Sequence, residues 1–494
     1  MAKEISVLFV TPEVFPFSNE TTTADFSYSY PLALRENGHD ARIMMPKFGN
    51  VSERKNRIHD INRLKELTFD MGGESIVGSI KSSSVSNSRN KVQAYITTNT
   101  EYFDSFKGAY HDQKTWKQVP NNTERFVFFS KTVIDTCVLL NWYPQVIHCM
   151  GWQTSLIPAY AKSLYPEEFR NTKFVLTALD FSNQGVDDLK KFDLLGLKDS
   201  FKKDFTFNKK LNLLKGGLIH SDRITTVDEE YGEEVLSDDS KSDGLVKKVT
   251  NFKKKFVPLK SKIDTWTWNP KSDDNLVAKY DEEFEDFKYH NKVDLVNKFG
   301  LEFHPKTPLL AVNAKIDNQE DLKLFIDSAD KLFKENLQVV LLGPGEKDLE
   351  KTLKKIEKKH PSKFKFKLGF SEALNSEMEA GSDMYLITPE KPRTAAKFMQ
   401  ACLYGSVPIA HNAGVIKEIS IPYDGDEFEG NSILFEDYNS ESMLDAVKNA
   451  LKLFADKDDW ITLARNGMLD DFNWKEDIKG YQNLYKKLLK EKND

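Results

Sequence analysis

Several large protein classes are excluded by what this chain lacks. Only three cysteines, Cys137, Cys149 and Cys402, occur along 494 residues, and none is paired at the spacing of a metal or redox motif. A disulfide scaffold is excluded, and a reducing, cytoplasmic setting with no metal and no cofactor is the expectation. No apolar run reaches the ~18 residues that a membrane-spanning helix needs. The opening "MAKEISVLFV" has too short an apolar stretch, and no cleavage-like site, for a signal peptide. The Asn-x-Thr matches at Asn19 and Asn121 are therefore read as chance. Basic residues are not in excess: 70 Lys and Arg stand against 76 Asp and Glu, a net charge of −6. General nucleic-acid binding, which needs a basic surface, is excluded. The lysine runs "FKKKF" (252–256) and "KKIEKKH" (354–360) are read as solvated faces.

With 39% hydrophobic and 30% charged residues, the chain can bury a large core, and its length suggests two domains. Short apolar runs alternate with longer amphipathic stretches. Strands are predicted at 5–10, 92–98, 145–150, 173–179 and 223–227, with helices from near Ala24, over 122–142 and over 210–221. The rhythm breaks at about 236–260, where "SDDSKSDG" reads as a linker. It restarts with strands at 309–315, 337–345, 363–370, 384–388 and 406–411, and a final stretch from Asp470 reads as an amphipathic helix with a frayed lysine-rich end. This is the βαβ rhythm of doubly wound sheets, twice over, and a cleft between two such domains is the default ligand site.

One further absence bears on function. In "LFVTPEVFPFSNETTTADF" (8–26), the loop between the first strand and its helix contains no glycine. That is where a nucleotide-binding fold places a glycine-rich phosphate cradle. Here Thr21, Thr22 and Thr23 stand instead, and their Cβ atoms restrict the approach of backbone N–H groups to a phosphate.

Six stretches, "VLFVTPEVFPF", "YPLALRENGHDARIMMPKFG", "IHCMGWQTSLIPAY", "LNLLKGGLIHSDRITTV", "KIDTWTWNP" and "YGSVPIA", resemble, in that order, the bacterial glycogen and starch synthase family, and they extend over nearly the whole chain. The resemblance implies an α/β protein of two facing Rossmann-like domains (the GT-B glycosyltransferase fold) with an interdomain cleft. An N-terminal, acceptor-side domain would span 1–250 and a C-terminal, nucleotide-sugar-side domain 251–470. A C-terminal helix, 471–494, would pack back on the N-terminal domain. The family transfers glucose from ADP-glucose to the non-reducing end of an α-1,4-glucan with retention, without a metal.

The positions that the family uses for this chemistry are largely replaced. Its opening K-T-G-G-L before A-D appears as Asn19, Glu20, Thr21, Thr22, Thr23, leaving only Asp25 as a donor-site candidate. Its C-H-D-W appears as Cys149, Met150, Gly151, Trp152, so Trp152 and Gln153 remain as glucan or cleft candidates. The histidine that contacts the donor sugar is Leu179, which neither donates nor accepts a hydrogen bond. The Arg and Lys that clamp the leaving diphosphate are Lys315 and Glu320, with Gln319 beside them. Lys315 offers a point charge without the bidentate fork. A charge reversed at about 4 Å changes the local energy by several kcal/mol, since unit charges there interact by roughly 4 kcal/mol at an effective dielectric of 20. The catalytic glutamate is Lys391, and the glycine that opens the next helix is Thr394.

Lys315, Gln319, Thr394 and Asp25 are thus the nucleotide-sugar candidates, and no catalytic position (Leu179, Glu320, Lys391) is intact. Trp152, Lys215-Gly216-Gly217 and Gly405 survive, but packing and turn geometry explain each without activity. Gly343-Pro344-Gly345 is weak as a phosphate binder, because Gly-x-Gly is common. Glu320 and Lys391 carry reversed signs, and a charge-swapped couple is one expectation. For Arg393 and Lys397, solvation is preferred to anion binding. Two readings stay open: an impaired or inactive relative that binds α-glucan or a partner, such as an active synthase, and an active ADP-glucose transferase with a rebuilt donor site. A third, weaker one is a transferase for another nucleotide sugar.

Overall fold

The computed structural model describes residues 4–112, 116–315, 322–369 and 371–491. The chain divides into two units, Met1–Asn19 with Thr23–Asp264 and Trp474–Asp494, and Glu20–Thr22 with Thr265–Asn473.

The first unit begins with β1 (Ser6–Val10), α1 (Thr23–Glu36) and β2 (Asp40–Pro46). The small strands β3 (His59–Asp60) and β4 (Leu67–Met71) follow, then the long β5 (Glu74–Ser86), β6 (Lys91–Thr98), α2 (Asn122–Leu140), β7 (Val146–Met150), α3 (Ile157–Leu164) and β8 (Lys173–Thr177). Three short strands, β9 (Val186–Asp187), β10 (Thr206–Phe207) and β11 (Lys210–Asn212), form a separate sheet. Next come α4 (Leu213–His220), β12 (Arg223–Thr225), α5 (Glu229–Ser237) and α6 (Phe252–Lys255). The main sheet runs β12-β8-β7-β1-β2-β6-β5-β3, with β4 paired to β5. From β12 to β6 every pair is parallel, whereas β5 is antiparallel to β6, β3 and β4. Every residue of β7 and β8 is buried, as expected for central parallel strands covered on both faces.

The polar stretch predicted as a linker is instead part of this unit. Asp239–Ser242 forms a 3₁₀ turn, and Leu245, Val249, Phe252 and Phe256 join the first core. Phe252 and Phe256 stack 4.9 Å apart. Widely spaced apolar anchors hold a segment whose local composition is loop-like.

The second unit contains α7 (Phe284–Phe299), β13 (Leu309–Asn313), α8 (Leu322–Leu332), β14 (Gln338–Gly343), α9 (Lys347–Lys359), β15 (Phe364–Leu368) and α10 (Glu372–Gly381). It continues with β16 (Met384–Leu386), α11 (Ala396–Leu403), β17 (Val407–His411), α12 (Val415–Ile419), β18 (Ile433–Phe435), α13 (Ser440–Ala455) and α14 (Lys457–Leu469). Its six-stranded sheet runs β15-β14-β13-β16-β17-β18, all parallel. Numbered within the unit, that is the 3-2-1-4-5-6 order of a Rossmann fold, and β6-β2-β1-β7-β8-β12 of the first unit repeats it.

The last helix, α15 (Ile478–Leu488), belongs to the first unit. Ile478, Tyr481, Tyr485 and Leu488 recur at three- and four-residue spacing and are buried in the first core. Tyr485 Oη shares a hydrogen bond with Tyr30 Oη on α1 and one of 2.6 Å with His148 Nδ1 on β7. His148 Nε2 continues the chain to Thr177 Oγ1 at 2.5 Å, and Thr177 to Thr225 Oγ1 at 2.7 Å. One run of buried polar groups thus ties the C-terminal helix to α1 and three strands.

Candidate functional site

In doubly wound sheets, ligands bind beyond the carboxyl ends of the strands, where the strand order reverses. In the first unit the reversal lies between β1 and β7. The loop leaving β1 is braced from within: Thr11 Oγ1 donates to the Glu13 carbonyl at 2.8 Å and lies 2.8 Å from Ser27 Oγ, and Ser18 Oγ donates to the buried Glu13 carboxylate at 3.1 Å. Asp25 follows in the first turn of α1, buried.

Trp152 and Gln153 lie in the 3₁₀ turn just after β7, both buried. The Trp152 ring meets Phe126 edge-on at 5.2 Å, and a Cβ on Gly185 would lie 2.3 Å from it. Leu179 lies two residues beyond β8 and is 8% exposed within the first core. Asp25, Trp152, Gln153 and Leu179 therefore share the carboxyl edge of one sheet.

Surviving motif residues nearby have packing partners. Lys215 Nζ donates to the carbonyls of Lys203 and Thr206 at 2.7 and 2.8 Å. A Cβ on Gly216 would meet the Phe205 ring at 1.9 Å, and one on Gly217 would meet Ser155 at 2.6 Å. Gly405 has φ +72°, and a Cβ there would lie 2.9 Å from the Phe284 ring. These glycines are required by close packing or a left-handed backbone.

In the second unit the order reverses between β13 and β16. Lys315 lies two residues after β13 and is 5% exposed. Its Nζ donates at 3.3 Å to the carbonyl of Thr21, in the short segment Glu20–Thr22 that groups with this unit. Lys391 is exposed and Thr394 buried in the loop between β16 and α11. Lys315, Lys391 and Thr394 thus share this sheet's carboxyl edge. Gln319 and Glu320 lie outside the described residues, so the Glu320–Lys391 couple does too.

A buried acid beneath this loop escaped sequence reasoning. Glu379, near the end of α10, is fully buried, and burial pushes its carboxyl up to about 8. Asn375 Nδ2 donates to Glu379 Oε1 at 2.7 Å, and Lys397 Nζ lies 3.7 Å away on the first turn of α11. Lys397 also donates to Gln400 Oε1 at 3.0 Å. Lys397 is therefore paired rather than simply solvated, contrary to expectation. Nothing in "NSEMEAG" distinguishes Glu379 from a surface helix residue, because α10's pairing with the loop is tertiary.

The three thiols are buried, and burial raises all three, Cys137 to about 12. Among the described residues, no group of three His, Cys, Asp or Glu is placed to hold a metal ion. Among the same residues, no helix is long and apolar enough to cross a membrane.

Residues 6–249 match the starch synthase catalytic domain model, and residues 296–467 match glycosyl transferases group 1. A glycogen synthase of Chlorobaculum parvum is 32% identical over 489 residues, covering 99% of each chain. One of Pelodictyon phaeoclathratiforme is 31% identical over 490 residues, again covering 99% of each. This chain belongs to the glycogen synthase family.

The catalytic domain of starch synthase IV from Arabidopsis thaliana, solved with ADP and acarbose, superposes with a TM-score of 0.89 at 22% identity, covering 99% of this chain and 100% of that one. The GT-B fold of two Rossmann-like domains is thereby shown. Against the glycogen synthase family pattern, the departures among the described residues (residues 19–23, Met150, Gly151, Leu179, Lys315, Lys391 and Thr394) lie at or after the carboxyl ends of strands, where doubly wound folds place ligands. Survivors such as Trp152 and Gly216 are buried in packing.

Proposed function

We propose that this glycogen synthase-family protein transfers glucose from ADP-glucose weakly or not at all, and acts in the cytoplasm by binding α-glucan or a protein partner, an active synthase among the candidates. The observation that carries this reading is the state of Lys315. The cation retained at the diphosphate position is 5% exposed, and its amine donates to the carbonyl of Thr21, in the threonine run that replaces the family's glycines. Leu179 at the donor-histidine position supports it, since a hydrocarbon side chain supplies no hydrogen bond to a sugar. Removing one electrostatic stabiliser lowers a rate by about 10²–10³. Several are replaced here, and losses within one site are not additive.

A second reading, an active ADP-glucose glycogen synthase with a rebuilt donor site, is favoured by Lys315, Asp25 and the start of the helix after Thr394 lying at carboxyl edges, where they could hold a diphosphate. Incorporation of labelled glucose from ADP-glucose into glycogen separates the two, at a sensitivity of about 10⁻⁴ of an ordinary turnover. The first reading expects zero or trace incorporation from folded protein, together with saturable binding to glycogen or to a synthase. Ordinary turnover that Lys315→Ala abolishes would establish the second.

A further inference from the structure

A cavity of about 730 Å³ opens in the second unit, on the opposite side of the sheet from the donor-site candidates. Lys306 and Pro308 just before β13, Asn336 just before β14 and Asp383 just before β16 line its floor, so it lies at the amino ends of the strands. Phe284, Lys288 and Lys292, four residues apart along α7, line one wall, and Phe454 and Trp460 of α13 and α14 line another. This volume is that of a small-molecule site.

The two α7 lysines that line the cavity are differently served. Lys292 Nζ pairs with Asp383 Oδ2 at 2.6 Å and donates to the Thr307 carbonyl at 2.8 Å. Lys288 Nζ donates to two backbone carbonyls, those of Glu379 at 3.4 Å and Tyr404 at 3.3 Å, and lies 5.9 Å from the centre of the Phe287 ring. Among the described residues no carboxylate pairs with it. Burial lowers its amine to about 7, so near neutrality the group divides between neutral amine and ammonium, and the ammonium form is without that pair. The charge of Asp383 favours the ammonium form of Lys288, but its carboxylate is already held by Lys292 and by the Leu309 N–H at 2.7 Å.

We propose that this cavity binds a small organic anion with a flat apolar body, its charge set against Lys288 and its body against the aromatic wall, and that the occupant acts as an effector of the loop carrying Lys391 and Thr394. The link is physical. Lys288 is bonded to the carbonyls of Glu379 and Tyr404, at the end of α10 and just after α11. The Glu379 side chain pairs with Lys397 on the first turn of α11, directly after that loop. An anion that draws Lys288 toward the cavity loads both helices that frame the loop. The proposal does not depend on whether the chain transfers glucose.

The test uses the full chain at pH 7 with two fluorescent probes, 8-anilinonaphthalene-1-sulfonate and its uncharged analogue N-phenyl-1-naphthylamine. The sulfonate is expected to saturate at one per chain. Lys288→Met should weaken sulfonate binding at least tenfold and change the neutral probe less than twofold. Ala455→Trp, at an exposed lining position, should weaken both, and keeps the test decisive if Lys288→Met fails to fold. With sulfonate bound, amide exchange across 394–403 should slow at least twofold. Sulfonate binding that does not saturate, or is unaffected by Ala455→Trp, overturns the site. Equal weakening of both probes by Lys288→Met overturns the role of the charge. Saturable binding with unchanged exchange overturns the effector role.

Discussion

Glu379 shows what a single buried side chain implies at the residue scale. Its folded value of about 8 lies above its ordinary 4.5, so between those values the folded state holds the proton more tightly than the unfolded state. Its contribution to stability is full below the unfolded value and is lost as pH rises toward about 8. Other buried groups oppose it: burial lowers His148 to about 3 and His220 to about 4, which favours folding as pH rises through the acid range. Comparison with Glu379→Gln isolates the acid. The variant's stability relative to the parent should rise by up to about 1.4 kcal/mol per pH unit across that window, read from urea midpoints at pH 5, 6, 7 and 8. A flat difference would place Glu379 at an ordinary value. Also at this scale, the proposed loss of transfer predicts that Leu179→His alone leaves glucose incorporation below detection, since Lys315 and Lys391 still stand where the family resemblance implies an arginine and a glutamate. The replacements were legible in the sequence because each residue type carries its own chemistry. Glu379's burial and Lys397's pairing were not, because each depends on what another element presses against the side chain.

Element by element, legibility followed local signal. The apolar runs at 5–10, 145–150, 173–179 and 309–315 became β1, β7, β8 and β13, because strands buried on both faces need continuous apolar sequence. β5 was missed: "ESIVGSIKSSSVS" is serine-rich, and it is held by register with β6 over eight residue pairs, a long-range pairing that leaves little mark in composition. The run "FKKKF" deviates in part, since Lys255 donates to the carbonyls of Ile219 and Ser221, and burial lowers its amine. Two variants probe elements directly. Gly216→Ala forces a Cβ to 1.9 Å from the Phe205 ring, and overpacking of this kind costs about 1–3 kcal/mol; a lowered denaturant midpoint with unchanged slope is expected. Tyr485→Phe removes the hydroxyl that joins Tyr30 to His148. Leaving buried partners unsatisfied costs about 1–3 kcal/mol, and amide exchange in 478–488 should accelerate.

At the scale of the whole molecule, the division into units makes a prediction about fragments. The second unit is nearly one continuous stretch, Thr265–Asn473, with its own core. The first needs Trp474–Asp494, since Trp474, Ile478, Tyr481 and Tyr485 lie within its core. A fragment of residues 265–473 should unfold cooperatively by circular dichroism. A fragment of residues 1–264 should aggregate or melt without a transition, unless a peptide of residues 474–494 is supplied. A cooperative transition for residues 1–264 alone would show that α15 is dispensable. The sequence by itself determined the class of this protein: two α/β units with parallel sheet cores, the resemblance to the glycogen synthase family, and the residue types that stand at that family's donor-site positions. These follow from periodicity and residue identity, which are local. Only the tertiary structure decided that 236–260 packs into a core and that Lys315 meets a threonine carbonyl, whereas the return of the last helix to the first unit was already implied by the family resemblance. The cavity at the amino ends of the second sheet, where Lys288 lies without a paired carboxylate among the described residues, is likewise a product of folding. Each of these depends on residues distant in sequence being brought together and shielded from water, which no local pattern encodes.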